Sequence, residues 1–151
     1  MKRTYILILT VSIITISCCR YEKFDHLNLP ASMELAINSN MQFDKYLVYY
    51  HTGECSFCYA ILMNLSNEFS SLPVISISSS DNKKLVDYYL EQIHFRGISL
   101  FDTDSLFLNS NKALLETNNL FLLNSDGFIL VNGKDLDEQI IKQIWKAINT
   151  L

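Results

Sequence analysis

The chain has 151 residues, 49% of them apolar, with 12 Lys and Arg against 16 Asp and Glu for a formal net charge of −4. That is enough apolar chain for one compact domain with a real core and too little for a second. The acidic balance excludes a nucleic-acid-binding protein and any charge-driven adhesion to anionic lipid.

The amino terminus reads as a targeting segment. Lys2 and Arg3 make a basic start, residues 4–16 are apolar-biased, and Ser17 precedes Cys18. An apolar stretch of 13 residues is too short to span a bilayer as a permanent helix. Thr15-Ile16-Ser17-Cys18 is similar to a bacterial lipobox, with Thr15 where such boxes usually carry leucine. The expectation is a signal peptide over residues 1–17, lipid attachment at Cys18 and a tether over residues 18–42. An ordinary secretory signal with two stray cysteines is the alternative. Loss of Lys2 and Arg3 takes the net charge from −4 to −6, so membrane attachment would come from the acyl chains alone. Cys19 has no assigned role.

Residues 20–30 are polar without a sustained period, and no core is expected there. Residues 31–40, with Met33, Leu35, Ala36 and Ile37 ahead of Asn38-Ser39-Asn40, predict a short helix. The apolar run over 47–50 predicts a strand buried on both faces. Next, Phe57, Ile61, Leu65 and Phe69 recur at helical spacing, and Cys58 and Leu62 extend that side. This predicts a helix packed on a sheet, stopped by Ser70-Ser71-Leu72-Pro73. Val74-Ile75-Ser76-Ile77 is a β-branched strand, and strand, helix, strand at this length implies parallel pairing with a right-handed crossover. Polar residues 78–81 can cap a helix over 82–94, with Leu85, Val86, Tyr89, Leu90 and Ile93 on one face. Residues 98–101 predict a short strand and 102–105 a turn. Leu120-Phe121-Leu122-Leu123 and Phe128-Ile129-Leu130-Val131 flank a turn ending in Asp126-Gly127, a hairpin signal. Asp135 and Asp137 then open a last helix striped by Ile140, Ile141, Ile144, Trp145 and Ile148.

The chemistry is concentrated in His51-Thr52-Gly53-Glu54-Cys55-Ser56-Phe57-Cys58, where the first strong strand hands over to a helix. Free backbone N–H groups and the partial positive charge at a helix start stabilise a thiolate, which is the nucleophile in disulfide exchange. Cys58 is one helical turn on and faces back toward Cys55. Such a pair closes into a small, reducible disulfide, unlike a long-range structural staple.

With that order of elements, the chain resembles thioredoxin-fold proteins, and in particular the thioredoxin-like redoxin lipoproteins of Gram-negative bacteria. The likeness spans residues 46–151. It rests on the strand before Cys55-Ser56-Phe57-Cys58 and on Phe101-Asp102-Thr103-Asp104 leading to Leu120-Phe121-Leu122-Leu123-Asn124-Ser125-Asp126-Gly127. It implies an α/β thioredoxin fold over residues 43–151, a mixed sheet with a parallel strand-helix-strand half and a C-terminal hairpin plus helix. Cys55 would be the attacking thiol and Cys58 the more buried resolving thiol.

Three departures from the family pattern stand out. Glu54 replaces the tryptophan before the first cysteine, and a carboxylate there is expected to raise the pKa of Cys55 and favour a reductant. The strand before the motif offers Tyr49 and Tyr50 where many relatives bury an acidic proton acceptor, so another group or water must take the proton from Cys58. Thr117-Asn118-Asn119-Leu120 lacks the cis-proline that faces the pair, so trans geometry is expected at Asn118.

The resulting expectation is an enzyme without a cofactor. It would be a lipid-anchored thiol-disulfide oxidoreductase of the cell envelope, facing the periplasm or exterior, that reduces disulfides of exported proteins with electrons from a membrane thiol donor. His51, Glu54 and Asn118 are candidate modulators, His51 as a proton relay or, when charged, as an offset to Glu54. Tyr49, Tyr50, Phe57 and Tyr59 are candidates for a peptide-facing surface, with core packing expected for at least half of them. His26 and His94 read as surface residues. Two rivals stand beside this reading: a zinc or copper site built from Cys55, Cys58 and His51, and a binding or scaffold module without turnover.

Overall fold

The structure is a computed structural model, and it describes residues 26–40 and 43–150. The signal segment, Cys18, Cys19 and the tether up to residue 25 lie outside the described residues.

The fold is built around β1 (Lys45–His51), whose interior is buried on both sides as its apolar run requires. Leu47 and Tyr49 point to one face, and Tyr46 and Val48 to the other. Along one edge β1 pairs in parallel with β2 (Val74–Ser78), Leu47 opposite Val74. Along its other edge it pairs antiparallel with β4 (Leu120–Asn124), Tyr49 opposite Leu120. β3 (Ile98–Phe101) adds in parallel to β2, and β5 (Ile129–Gly133) closes the far edge as the second arm of the hairpin, giving the order β3-β2-β1-β4-β5. This is the mixed sheet that the resemblance implies.

Each face of the sheet carries its own helices. α2 (Ser56–Glu68) and α3 (Lys83–Gln92), the crossovers between the parallel strands, share a core with α6 (Glu138–Asn149) built from Leu62, Leu65, Val86, Leu90 and Ile144 against Leu47, Tyr49 and Leu122. The capping signals operate where the spacing puts them. Asn82 Oδ1 accepts from the Leu85 amide at 3.2 Å and Asp137 Oδ1 from the Ile140 amide at 2.8 Å, each satisfying an otherwise orphaned donor. Phe57 departs from the expected stripe. It is 65% exposed, because it lies in the first turn of α2, beyond the part of the helix that the sheet covers.

The opposite face departs further. α1 (Ala31–Asn40) forms over the predicted span, and Met33 and Ile37 pack with Leu27, which is 0% exposed, against Tyr46, Val48, Phe121 and Leu123. His26 bridges Phe128 as a fragment of strand, and its ring nitrogen lies 2.7 Å from the Asp126 carbonyl oxygen. The presumed tether therefore contributes Leu27, Met33 and Ile37 to the folded core. The span 106–115, which carried no predicted element, folds into α4 (Leu106–Ser110) and α5 (Lys112–Leu115) and covers the same face through Phe107. Asp102 holds α4 in place: its carboxylate accepts from the Phe107 and Leu108 amides, both at 2.9 Å. Among the described residues no helix is long and apolar enough to cross a membrane.

Leu27→Ala should lower the unfolding free energy of the full chain by about 2–4 kcal/mol, read from the urea midpoint at constant slope, as for other fully buried leucines. A change near zero would show that the segment before α1 is not part of the cooperative core.

Candidate active site

At the C-terminal end of β1 the chain must turn sharply to deliver Cys55 to the start of α2. Gly53 makes that turn with φ +79, in the left-handed region. A Cβ there would collide with Ser78 Oγ and would lie 2.6 Å from Ser80 Cβ and 2.9 Å from Val86 Cγ2, so both conformation and space demand glycine. Tyr59 fastens the turn from the helix side by donating its hydroxyl proton to the Gly53 carbonyl at 2.7 Å.

His51 fastens the turn from the strand side. It is 4% exposed, its Nδ1 accepts from the Gly53 amide at 3.0 Å, and Nε2 lies 2.8 Å from Ser76 Oγ. Accepting at Nδ1 fixes the proton on Nε2, which donates to Ser76. Burial lowers its pKa to about 4, so the ring is neutral at physiological pH and carries no charge to set against Glu54. Both nitrogens are committed within the fold, which removes the third ligand from a Cys55, Cys58 and His51 metal set. Among the described residues no cluster of three or more His, Cys, Asp or Glu is arranged to hold a metal.

Cys55 is the N-cap of α2 and Cys58 lies in its first turn; both are free thiols, half-buried, with the Cys58 amide donating to the Cys55 carbonyl at 3.0 Å. Hydrogen bonding from the Cys58 thiol is the largest influence on Cys55 and lowers its pKa; partial burial opposes it, and the Phe57 and Cys58 amides assist without closing a cap. Cys58 moves the other way. Burial foremost, then the hydrogen bond to Cys55 and the neighbouring charge, push it up to about 11. The pair is therefore divided into one thiol poised to ionise and one held protonated.

Glu54 is exposed and is not among the groups that shift Cys55. The expected upward push is replaced by a net downward shift, because Cys58 hydrogen-bonds the sulfur directly while the carboxylate stands in solvent. A stabilised thiolate favours the reduced form, so Glu54 gives no ground for a preferentially reducing couple. Asn118 sits at the same end of the sheet in trans geometry, as expected without proline. Its amide donates to the Leu114 carbonyl at 3.0 Å and its Nδ2 to Thr117 Oγ1 at 2.8 Å, so this loop leans on α5. The next residue is tied to the sheet, with Asn119 donating to the Gly133 carbonyl and accepting from the Tyr50 amide.

Of the four aromatic candidates, Tyr49 and Tyr59 are core residues at 1% and 3% exposure, Tyr50 is half-buried and Phe57 faces solvent. Sequence reasoning passed over one contact here. Tyr49 belongs to the buried cluster against which Cys58 packs. The period-2 alternation of β1, which places Tyr49 on the same face as Leu47 and so under α2, is the signal that could have found it.

No protein-family model matches this sequence, and no curated protein matches it. Solved structures do. A secreted disulfide oxidoreductase of Mycobacterium tuberculosis homologous to E. coli DsbE aligns over 72% of this chain and 85% of its own, at 14% identity and a TM-score of 0.56. The thioredoxin domain of a thiol-disulfide oxidoreductase from Bacteroides vulgatus covers 74% and 84%, at 16% identity and a TM-score of 0.58. A thioredoxin-like protein from Parabacteroides distasonis covers 72% and 82%, at 12% identity and a TM-score of 0.57. The chain has the thioredoxin-like fold, and it brings Cys55 and Cys58 together where β1 meets α2.

The opposed shifts predict the order of alkylation. In the reduced protein Cys55 should react with iodoacetamide with a midpoint below the ordinary thiol value of about 8.5, and Cys58 with a midpoint near 11. Mass-resolved labelling against pH reads both, and faster labelling of Cys58 at neutral pH would contradict the assignment.

Proposed function

We propose that the protein is a thiol-disulfide oxidoreductase that exchanges disulfides with exported proteins through Cys55 and Cys58. The single observation that carries this reading is the unequal placement of two free thiols at the start of α2, Cys55 as its N-cap and Cys58 packed against the buried cluster, and the opposed directions of their pKa shifts agree with it. Exchange needs one thiolate to attack and a second thiol that stays out of reach of solvent until the mixed disulfide forms. A structural cross-link needs no such asymmetry.

In the cycle, the Cys55 thiolate attacks one sulfur of a substrate disulfide, forming a mixed disulfide and expelling the other sulfur as a thiolate. Cys58 then loses its proton and attacks Cys55 Sγ, releasing the substrate as dithiol and leaving the pair oxidised. Phe57, exposed beside Cys55, offers an apolar surface to the incoming chain. In an oxidising compartment a reducing cycle is completed by a membrane thiol donor. Lipid attachment at Cys18 after removal of residues 1–17 would hold the domain at the cell envelope. The basic start, the apolar stretch and the small residue before Cys18 support that part of the reading. His51 and Asn118 act, in this reading, by fixing the loops on either side of the pair.

Cys58→Ser in the full chain tests the cycle. Mixed reduced with disulfide-bonded insulin, the variant should accumulate an insulin adduct on Cys55 that survives non-reducing electrophoresis, while the wild type passes through it and ends with its own pair oxidised. Absence of any adduct, or an adduct that persists equally in Cys55→Ser, would exclude exchange through this pair.

A further inference from the structure

The sheet has two ends, and the strand directions assign them. β1, β2 and β3 run parallel and β4 runs against them, so residues 43–44, 71–73 and 96–97 and the β4–β5 turn at 124–128 share the end where β1 begins. Cys55 and Cys58 lie past the other end of β1, about 20 Å away along the strand. The folded chain is joined to its amino-terminal segment at the first of these ends: His26 bridges Phe128, and the Leu27 amide donates to the Gly127 carbonyl at 3.1 Å.

That end presents apolar rings to solvent. Phe43 is 52% exposed and Phe128 43%. Beside Phe43 an open groove of about 790 Å³ runs between the ends of α2 and α3, walled by Leu72, Ile93 and Ile98, with Arg96 on its lining. Ser66 Oγ, a buried atom on the same groove, has no hydrogen-bond partner. Arg96 is exposed and pairs with no carboxylate among the described residues, and Asp44 and Asp126 are exposed at the same end. A guanidinium and carboxylates side by side match the phosphate and ammonium of a zwitterionic lipid headgroup and oppose a polyanionic surface. The other end also exposes apolar side chains, Phe57 and Leu106. The groove and the point where the tether enters separate the two ends.

We infer that the end of the sheet carrying Phe43 and Phe128 is the surface that meets the bilayer, its rings among zwitterionic phospholipid headgroups and the cysteine pair turned away from the membrane. This rests on the lipid anchor of the reading above and deepens it. Residues 19–25 separate Cys18 from His26, a span of at most about 29 Å fully extended. A leash of that length keeps the Phe128 end near the lipid without choosing an orientation. The acyl chains supply attachment, and the rings and groove supply the orientation by burying apolar surface at headgroup depth. The partner is constrained as a result. A membrane thiol donor serves this pair only if its reactive cysteines are carried on a domain that stands clear of the bilayer.

The test uses the lipid-modified full chain, purified from membranes in detergent and reconstituted in vesicles of phosphatidylethanolamine and phosphatidylcholine. A fraction of the phosphatidylcholine carries a diazirine close to its headgroup, and tandem mass spectrometry locates the adducts after irradiation. Adducts should gather at residues 43–44, 71–73, 96–98 and 124–128 and spare residues 54–58 and 105–107. The double variant Phe43→Ser, Phe128→Ser changes only exposed rings, and it should lower the adducts at that end by about fivefold, as expected when two half-exposed rings lose their apolar contact. Adducts around Cys55 at a similar or greater yield overturn the inference, and the wild-type pattern is read without any variant. A yield that the folded double variant leaves unchanged also overturns it, since the tether alone would then account for the labelling. Vesicle flotation separates these failures from failure of the anchor. A wild-type chain whose mass lacks acyl chains, or that stays behind when the vesicles float, removes the anchor and this inference with it, while disulfide exchange through the pair stands.

Discussion

The buried side of the Cys58 sulfur, packed under α2 against Tyr49 of β1, is the contact on which the rest of the site depends. Removing a thiol from water makes its thiolate costly, so that contact by itself creates the difference between the two cysteines. Cys55, one turn earlier at the mouth of the helix, keeps access to solvent and gains a hydrogen bond from its protonated neighbour. One docking geometry thus supplies a nucleophile and a reserve. The strand supplies it because β1 is central, pinned by β2 on one edge and β4 on the other, and cannot shift its register without moving every side chain to the wrong face.

The turn between β1 and α2 has to be as fixed as the strand. Gly53 gives it the one backbone conformation that fits under Ser78, Ser80 and Val86, and the His51 and Tyr59 side chains tie it from either side. His51 does this as a neutral ring with a defined tautomer, which is a different job from carrying charge or binding metal. The hydrogen bond to Ser76 links the same ring to β2, so the loop that presents Cys55 is anchored on two neighbouring strands. On the far face, residues 26–37 and the helices α4 and α5 cover the sheet and leave Phe57 and the mouth of α2 open.

Much of this was legible in the sequence. The apolar and β-branched runs at residues 47–50, 74–77, 120–123 and 128–131, the helical spacing between them and the position of the cysteine pair carried the order of the elements. The misses have physical causes. Leu27 and Leu29 lie in a polar stretch without a sustained period, too short to give a pattern to read; the burial of Leu27 depends on the distant Phe121 and Leu123 faces. Residues 106–115 form helices too short to show a turn-by-turn stripe, and α4 is held largely by the Asp102 carboxylate, whose partners are backbone amides. Phe57 fits the helical spacing but sits before the sheet begins to cover α2. The Glu54 expectation failed because adjacency in sequence is not proximity in charge: the carboxylate stands in solvent, while Cys58 hydrogen-bonds the Cys55 sulfur itself.

The measurement that bears most directly on the central claim is the reduction potential of the Cys55/Cys58 pair, from equilibration of the full chain in glutathione buffers followed by quantitative thiol trapping. A reversible two-electron couple between about −270 and −120 mV, the span of known exchange proteins, is the predicted result, and its place in that span sets the working direction. A pair that stays reduced at every ratio, or that closes to a disulfide no glutathione buffer reopens, would contradict an exchange site built on these two thiols.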